Sequence, residues 1–454
     1  MQLINRYTEQ RRLKNALTNA NTAFIVIYGR RSYGKSTLIR QTLERDDLYF
    51  IADQTESRHQ IEMFAKVIAD KVPGFDKVIY PNWTSLLENL NLRLPKRINI
   101  CIDDFPYLIK SDPELPEIIQ KMIDNKGNKR FNLIICGSSQ QLINGLISDS
   151  SSPLYGRADE VIKLQAMEPI SLRQALHCSA VEAIEEYSVW GGSPRYWDLR
   201  LKEKSLEETL KNHVFSPQGI LYNEPVKLFS DDMRDIIQSF TILSIIASGC
   251  NRLSEIAEKI GKPTTSLNAP LDKLLTLGYI DREIPFSDNI INPKKSLYKI
   301  VDPFIRFYFN FVVPNRSYIE MGRVEPIINQ VQQQFPAYVS FMWERFCRQS
   351  VPSIKFNGVS FKQASKWWGS RSKNPIMEID IVAESVDGNY LLVADCKWAE
   401  KVYGTKNMFK ELEQKAALLP FLNNRTVIPA LFLKETEKRD KENNVFTPND
   451  LLYN

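Results

Sequence analysis

The chain has 454 residues, enough for about three domains of ordinary size. With 43% hydrophobic and 25% charged residues it is not a mainly disordered chain, which would bury too little apolar surface to offset the entropy of ordering. The net charge of +5 permits nucleic-acid binding without requiring it. Six dispersed cysteines without a CxxC pair, and only three histidines, argue against a disulfide framework or a Cys/His zinc site.

No apolar run approaches a membrane span, and the first residues lack the apolar core of a signal peptide, so we expect a cytoplasmic protein. Short apolar strands alternate with helical stretches in the N-terminal third, which predicts an α/β fold with a parallel sheet. The predicted strands are residues 24–28, 48–51, 98–102, 133–136 and 161–164.

The pattern along the chain predicts five regions. They are a region of alternating strands and helices (1–165), a helical region (166–228), three short helices with a hairpin-like stretch (229–312), a connecting segment (313–335) and a region in which strands return (336–454).

The strongest motif is a GxxxxGK[ST] loop that follows the first predicted strand. Its glycines allow backbone N–H groups to surround phosphate, its lysine contacts the outer phosphates, and its serine is a magnesium ligand. The alternative is a glycine-rich turn with a surface lysine. The loop and the first residue of the following helix are Gly29, Arg30, Arg31, Ser32, Tyr33, Gly34, Lys35, Ser36 and Thr37. We expect these residues to bind ATP with Mg²⁺.

Acidic and polar residues follow two further predicted strands. Asp103 and Asp104 come directly after residues 98–102, where Asp103 would hold the magnesium ion and Asp104 would polarise the attacking water. Ser138 follows residues 133–136 and is a candidate polar group beside the γ-phosphate. The alternatives are an ordinary acid pair at a strand end and a common Gly-Ser-Ser turn.

Together these motifs resemble the archaeal-type ATPases of the AAA+/STAND class, and the likeness extends over nearly the whole chain. Two segments, Pro153–Arg157 and Gly191–Tyr196, add to it. The resemblance implies that Arg157 is an arginine finger or sensor and Arg195 a second sensor, whereas both are alternatively plain surface or salt-bridge residues. The family usually has glutamate where this chain has Asp104, which implies slow hydrolysis.

Residues 229–312 predict three helices followed by a hairpin, the order of a winged helix-turn-helix, which the same family also contains. The second half of this segment offers Asn268 and Lys273 for base or phosphate contacts, with Lys294 and Lys295 in the wing. So few suitable side chains favour a structural or partner-binding wing over sequence-specific DNA reading.

Two apolar strands flank Asp387-Gly388, which predicts a two-residue hairpin. In the register of this turn Asp380 faces Asp395 and Glu378 faces Lys397, all on one face of the sheet. Opposed carboxylates destabilise a sheet unless a cation lies between them, and Mg²⁺ prefers oxygen ligands.

This spacing resembles the PD-(D/E)xK nuclease core. The resemblance implies that Asp380 and Asp395 hold a metal ion, that Lys397 assists catalysis, and that Glu344 is the extra helical acid. The alternative is a hairpin with simple salt bridges. Trp367 and Trp368 suit either base stacking or half-buried packing, and their basic neighbours are Lys362, Lys366, Arg371 and Lys373.

The leading hypothesis is an ATP-binding, ATP-hydrolysing switch coupled to a nuclease-like domain that acts on nucleic acid. In this interpretation residues 1–165 are a P-loop ATPase core, 166–228 a helical lid, 229–312 a winged helix-turn-helix and 336–454 a nuclease-like α/β domain. A homo-oligomer is expected if Arg157 acts across a subunit interface. The alternatives are an ATP-gated signalling or binding scaffold with an inactive nuclease-like domain, and a transcription regulator that uses the winged helix.

Overall fold

A computed structural model of the protein describes residues 5–19, 22–125, 129–233, 236–288, 295–369, 377–399, 405–436 and 444–453. Lys294, Arg371 and Lys373, named above as candidate nucleic-acid contacts, lie outside these ranges. The chain divides into two compact units. The first comprises Met1–Met167, Ser193–Asp198 and Lys227–Arg234, and the second comprises Glu168–Gly192, Leu199–Val226 and Asp235–Asn454.

The first unit is built on a sheet of five parallel strands in the order β2-β3-β4-β1-β5. All five residues of β1 are buried, as expected for a parallel strand covered on both faces. The strands are β1 (Phe24–Tyr28), β2 (Leu48–Ile51), β3 (Ile98–Asp103), β4 (Phe131–Gly137) and β5 (Glu160–Lys163). The predicted α/β fold with a parallel sheet is therefore confirmed, and β4 lies between the strands that carry the two nucleotide motifs.

Helices connect these strands and cover both faces of the sheet with two apolar clusters. They are α1 (Tyr7–Thr18), α2 (Lys35–Thr42), α3 (Ser57–Ala69), α4 (Trp83–Arg93), α5 (Pro106–Ser111), α6 (Leu115–Asp124) and α7 (Gln140–Ser148). Helix α2 begins at the lysine of the phosphate loop, so its N-terminus adds partial positive charge there.

The region expected to form a helical lid is helical, but it is divided between the two units. Its helices are α8 (Pro169–Leu176), α9 (Ala180–Trp190), α10 (Pro194–Arg200), α11 (Leu206–Thr209) and α12 (Glu224–Asp232). The start of α9 has a capping box in which Ser179 and Glu182 satisfy each other's backbone N–H groups.

Three helices and a two-stranded antiparallel sheet follow in the second unit, in the order expected from the sequence. They are α13 (Ile236–Ala247), α14 (Leu253–Ile260), α15 (Asn268–Thr276), β6 (Ile280–Glu283) and β7 (Leu297–Ile300). Asn268 is exposed at the start of α15. The short helices α16 (Pro303–Phe307) and α17 (Arg316–Glu320) come next.

The long helix α18 (Glu325–Ser350) contains Pro336 in its interior. The expected boundary between residues 335 and 336 therefore falls inside a helix, and the connecting segment shares that helix with the C-terminal domain. Proline removes one backbone donor but does not end this helix, whose apolar residues continue at helical spacing on both sides.

The C-terminal domain contains a five-stranded sheet in the order β10-β11-β12-β13-β14, antiparallel in its first part and parallel in its last. Its hairpin has the predicted register, since Ile381 pairs with Ala394 and Glu384 with Leu391. The remaining elements are β8 (Lys355–Phe356), β9 (Val359–Ser360), β10 (Ser365–Gly369), β11 (Met377–Glu384), β12 (Tyr390–Lys397), α19 (Thr405–Ala417), β13 (Thr426–Leu433), β14 (Val445–Phe446) and α20 (Pro448–Leu451). Within the described ranges, no helix combines the length and the apolar character needed to cross a membrane.

Candidate functional site

The phosphate loop, residues 29–36, leaves β1 through a glycine that no other residue can replace without displacement. Gly29 has a φ of +153°, and a Cβ there would lie 2.5 Å from the carbonyl oxygen of Leu164. Ser32 and Gly34 have left-handed backbones with φ of 69° and 88°. These conformations turn the chain sharply between the strand and the N-terminus of α2, the geometry of an anion-binding loop.

Lys35 lies inside this loop and is 6% exposed. Its Nζ donates to the carbonyl oxygens of Gly29 at 2.8 Å and Arg30 at 3.0 Å. Burial lowers the pKa of the Lys35 ammonium, while the nearby Asp103 and Asp104 carboxylates act in the opposite direction.

The predicted magnesium ligands Ser36 and Asp103 meet although they come from different elements. The Ser36 hydroxyl at the start of α2 donates to Asp103 Oδ2 at the end of β3, over 2.7 Å. Serine hydroxyl and carboxylate oxygens suit the hard Mg²⁺ ion, so these residues fit the cofactor. The Asp104 backbone N–H donates to Asp103 Oδ1 at 2.9 Å and fixes the carboxylate plane.

Sequence reasoning missed a third group at this carboxylate, Tyr49 of β2. Its hydroxyl also donates to Asp103 Oδ2, and the guanidinium of Arg40 lies 4.8 Å above its ring. Burial acts to raise the pKa of Asp103, but the hydrogen bonds from Tyr49 and Ser36 help to hold it below its ordinary value. Asp103 therefore stays ionised. No motif marks Tyr49, because its role depends on β2 lying beside β3.

A cavity of about 320 Å³ opens beside these groups, at the lower end of the range for ligand pockets. Its lining includes most of the predicted nucleotide residues. From the phosphate loop and α2 these are Arg31, Ser32, Gly34, Lys35, Ser36 and Thr37, and from other elements they are Asp103, Asp104, Ser138 and Arg195. The parallel sheet explains the convergence, since β1, β3 and β4 end at the same edge.

Four of the predicted nucleotide residues do not belong to this lining, namely Gly29, Arg30, Tyr33 and Arg157. Arg30 is buried and lies 5.7 Å from the ring of Tyr33. Arg157 forms a two-point ion pair with Asp124, with N–O distances of 2.9 and 3.0 Å. Its expected role as an arginine finger or sensor remains a prediction.

The second candidate site is the carboxylate face of the C-terminal domain, defined as Glu344, Glu378, Asp380 and Asp395. Glu344 of α18 and Asp380 of β11 share one neighbour, Lys366 of β10, whose Nζ lies 3.5 Å from an oxygen of each. Burial and the charge of Asp380 raise the pKa of Glu344.

The expected pairing of Glu378 with Lys397 is wrong, since the described ion pair of Glu378 is with Lys366 at 3.3 Å. The paired residues of the hairpin run only to Ile381 and Ala394, so its register does not extend to Glu378 and Lys397. Lys397 is exposed at the end of β12.

Asp395 forms an ion pair with a different lysine. Lys415 of α19 places its Nζ 3.1 Å from Asp395 Oδ2. Burial and Asp380 raise the pKa of Asp395 even so. In the part of the chain that the structure describes, no three carboxylate, histidine or cysteine side chains converge closely enough to hold a metal ion. The two expected metal ligands, Asp380 and Asp395, each lie beside a lysine ammonium instead.

The two tryptophans of β10 are packing residues. Trp368 is 8% exposed, and the ring of Trp367 lies 6.1 Å from that of Phe421. Of the two alternatives given by the sequence, packing describes them, because base stacking needs an open ring face.

Residues 3–197 match a family described as an ATPase domain predominantly from Archaea. The phosphate loop described above lies within this matched segment. Residues 308–414 match a second family, described as archaeal and bacterial proteins of unknown function. The chain is 28% identical over 432 residues to an uncharacterised protein of Methanocaldococcus jannaschii, an alignment that covers 92% of each.

Two solved structures share the fold. A Walker-type ATPase of Pyrococcus abyssi aligns with a TM-score of 0.53 and 21% identity, over 68% of this chain and 96% of that one. The ORC2 protein of Aeropyrum pernix, solved as ADPNP–ADP complexes, aligns with a TM-score of 0.50 and 15% identity, over 70% and 96%. At these identities the likeness establishes the fold of a P-loop ATPase.

Proposed function

We propose that the protein is an ATP-hydrolysing molecular switch that acts on nucleic acid through its C-terminal half. The observation that carries the ATPase part is the meeting of Ser36 and Asp103 beside buried Lys35, at a cavity large enough for a phosphate chain. A surface lysine on a glycine-rich turn would have neither the burial nor the acidic partner across the sheet.

The residues of the cavity divide the work of binding and positioning. Backbone N–H groups of residues 29–36 and the Lys35 ammonium bind the phosphates of ATP, while Ser36 and Asp103 hold Mg²⁺. Bound magnesium supplies neutralisation of phosphate charge. Asp104 orients the attacking water, and Ser138 and Arg195 donate towards the outer phosphate.

Arg157 is assigned to a neighbouring subunit of a homo-oligomer, where it would act as an arginine finger. This role requires that the ion pair with Asp124 open when subunits assemble. Arg157→Ala should retain ATP affinity and lose the dependence of turnover per subunit on protein concentration. A turnover that is independent of concentration in the wild type would overturn the assignment.

Calorimetric titration with ATP and ADP tests the nucleotide site directly. Wild type should bind both nucleotides, and Lys35→Ala should bind ATP at least tenfold more weakly, since about 1.4 kcal/mol corresponds to a factor of ten. The matched control is Lys96→Ala, which removes an exposed lysine that pairs with Asp46 in the same unit. Absence of nucleotide binding by folded wild type would end the proposal.

Three features support nucleic acid as the target. The helices and hairpin from α13 to β7 have the order of a winged helix, and helix α18 with β10–β13 and α19 has the order of a nuclease-like core. The net charge of +5 is compatible with a phosphate backbone. Mobility-shift assays with DNA and RNA, with and without ATP, test this part of the proposal. Failure to bind either nucleic acid, whether or not ATP is present, would contradict it.

A second candidate function is an ATP-gated binding scaffold whose nuclease-like domain does not cleave. The lysine contacts on Asp380 and Asp395 favour it over the cleaving version. Incubation of labelled DNA and RNA with Mg²⁺ or Mn²⁺ separates the two. Cleavage that disappears in Asp380→Ala would favour the nuclease, and binding without cleavage would favour the scaffold.

A further inference from the structure

The carboxylate face contains a positive charge at the place where a nuclease-like core would use a metal ion. We infer that Lys366 is the resident counter-cation of this face, so that the wild-type C-terminal domain takes up no divalent metal there. The inference rests on the proposed nuclease-like fold and specifies its chemistry. It concerns Lys366, Glu344, Glu378 and Asp380.

The first argument is the match between donors and acceptors. The Nζ of Lys366 lies 3.3 Å from Glu378, 3.5 Å from Asp380 and 3.5 Å from Glu344. An ammonium group carries three N–H donors and no acceptor, so one lysine is able to serve three carboxylates. The side chains of Lys366, Glu344 and Asp380 are only 19%, 19% and 15% exposed, so these contacts are weakly screened by solvent, whereas Glu378 is 58% exposed and its contact is screened more.

The second argument is that the backbone is built to place this lysine. Between β10 and β11 the register changes, because Ser365 pairs with Val382 but Trp367 pairs with Ile379. Two residues of β11, one of them Asp380, therefore lie opposite the single residue Lys366. Such a bulge redirects a side chain relative to a regular ladder.

The position of the lysine is also fixed from outside the strand. The backbone N–H of Phe286, which follows β6, donates to the carbonyl oxygen of Lys366 at 2.9 Å. Phe286 and Trp367 both pack against Phe421, with ring distances of 5.1 and 6.1 Å. A strand held on both sides keeps its lysine near the carboxylates.

The third argument is that Oδ2 of each aspartate already has a protein donor. Asp380 Oδ2 accepts from the backbone N–H of Cys396 at 3.0 Å, and Asp395 Oδ2 accepts from Lys415 at 3.1 Å. A divalent ion bound by Asp380 and Asp395 would compete with these donors and lie beside the ammonium group of Lys366. The positive charges of the metal ion and of the ammonium group would repel each other strongly in this partly buried site.

Manganese binding, measured by the loss of the free-ion paramagnetic resonance signal, tests the inference on the full chain without nucleotide. All variants carry Asp103→Asn, so that the magnesium site of the ATPase unit does not contribute. This background should show no Mn²⁺ uptake that depends on Asp380. Adding Lys366→Gln should create one Mn²⁺ site per chain, at least tenfold tighter than any uptake by the background, and adding Asp380→Asn should remove it.

Lys362→Gln is the matched control, because Lys362 is a lysine of the same domain that pairs instead with Glu384, at 2.8 Å. It should gain no site, and Lys366→Arg, which keeps the charge, should gain none. Asp380-dependent Mn²⁺ uptake by the background would overturn the inference, and this measurement does not require the Lys366 variants to fold. A folded Lys366→Gln variant without a new site would also overturn it. ATP binding by the unmodified chain is scored separately, so failure of the ATPase proposal would be recognised as such.

Discussion

The two candidate sites both place an aspartate near the end of a strand, but they satisfy its charge in opposite ways. In the first unit Asp103 accepts hydrogen bonds from the neutral hydroxyls of Ser36 and Tyr49, so its negative charge is left to interact with a metal ion. In the C-terminal domain Asp380 and Asp395 lie beside the ammonium groups of Lys366 and Lys415. A hydroxyl donor orients a carboxylate, whereas an ammonium also neutralises it.

This contrast teaches that the spacing of acids alone does not identify a metal site. The spacing of Asp380 and Asp395 is that of a metal-dependent nuclease, yet each has a cation supplied by the protein. Whether a hydroxyl or an ammonium group lies beside the aspartate decides whether its charge is left for a metal ion. That group comes from an element distant in sequence.

The largest expected effect is on ATP turnover, and it tests whether the two lysine-containing sites are independent. Lys35→Ala should lower the turnover rate about 100-fold or more, because a preorganised charge beside the phosphates is lost. Lys366→Gln should leave turnover within about twofold of wild type, since the described ion pairs of Lys366 are with acids of the carboxylate face. A phosphate-release assay on both variants measures this, and an equal loss in both would break the comparison.

The next effect sharpens the role of the neutral donors. Tyr49→Phe should raise the Mg²⁺ concentration for half-maximal ATP turnover about 10-fold or more, because loss of a partner that orients a metal ligand typically costs that much. ATP affinity in the absence of Mg²⁺ should not change.

Tyr80→Phe is the matched control for Tyr49, since the Tyr80 hydroxyl donates to Asn89, at 3.4 Å, rather than to a candidate metal ligand. An unchanged Mg²⁺ dependence in Tyr49→Phe would show that Ser36 and the Asp104 amide orient Asp103 without it.

A smaller effect is expected at Asp104, whose φ of 53° lies in the left-handed region. Aspartate and asparagine tolerate this conformation better than glutamate. Asp104→Glu should therefore raise turnover several-fold, because the longer carboxylate reaches the water, while the melting temperature falls slightly. Asp104→Asn should keep the melting temperature and lower turnover. Full activity in Asp104→Asn would show that the side chain does not position the water.

The smallest effect is a pH dependence of stability that sets the carboxylate face apart. Burial and the charge of Asp380 raise the pKa of Glu344 in the folded protein, so protonation of Glu344 stabilises the fold. This stabilisation is complete below about pH 4.3, the ordinary glutamate pKa, and is lost as the pH rises through the pKa of the folded protein. In Glu344→Gln the free energy of unfolding should therefore decrease less than in the wild type as the pH rises through this range. Chemical denaturation at a series of pH values measures it, and parallel curves for the two proteins would contradict it.

Local patterns in the sequence predict much of the fold. The apolar runs predict β1 and β2 with their observed ends, and Asp387-Gly388 predicts the register that pairs Ile381 with Ala394. These features depend on residues close together in the chain.

Tyr49, Lys366 and Lys415 depend instead on which strand or helix lies beside another, and no spacing in one sequence specifies that. Helix α18 also crosses an expected boundary, because proline usually ends or interrupts a helix, whereas Pro336 lies inside this one. The sequence therefore predicts the acids of both sites but not the groups that determine their charge.

The chain leaves and re-enters the first unit around the short segment Ser193–Asp198, which contributes Arg195 to the nucleotide cavity. Gly192 on one side and Leu199 on the other belong to the second unit. The residues that carry Arg195 are therefore joined covalently to the second unit at both ends. Substitutions at Gly192 and Leu199 would change the stiffness of these two connections and leave Arg195 itself unchanged.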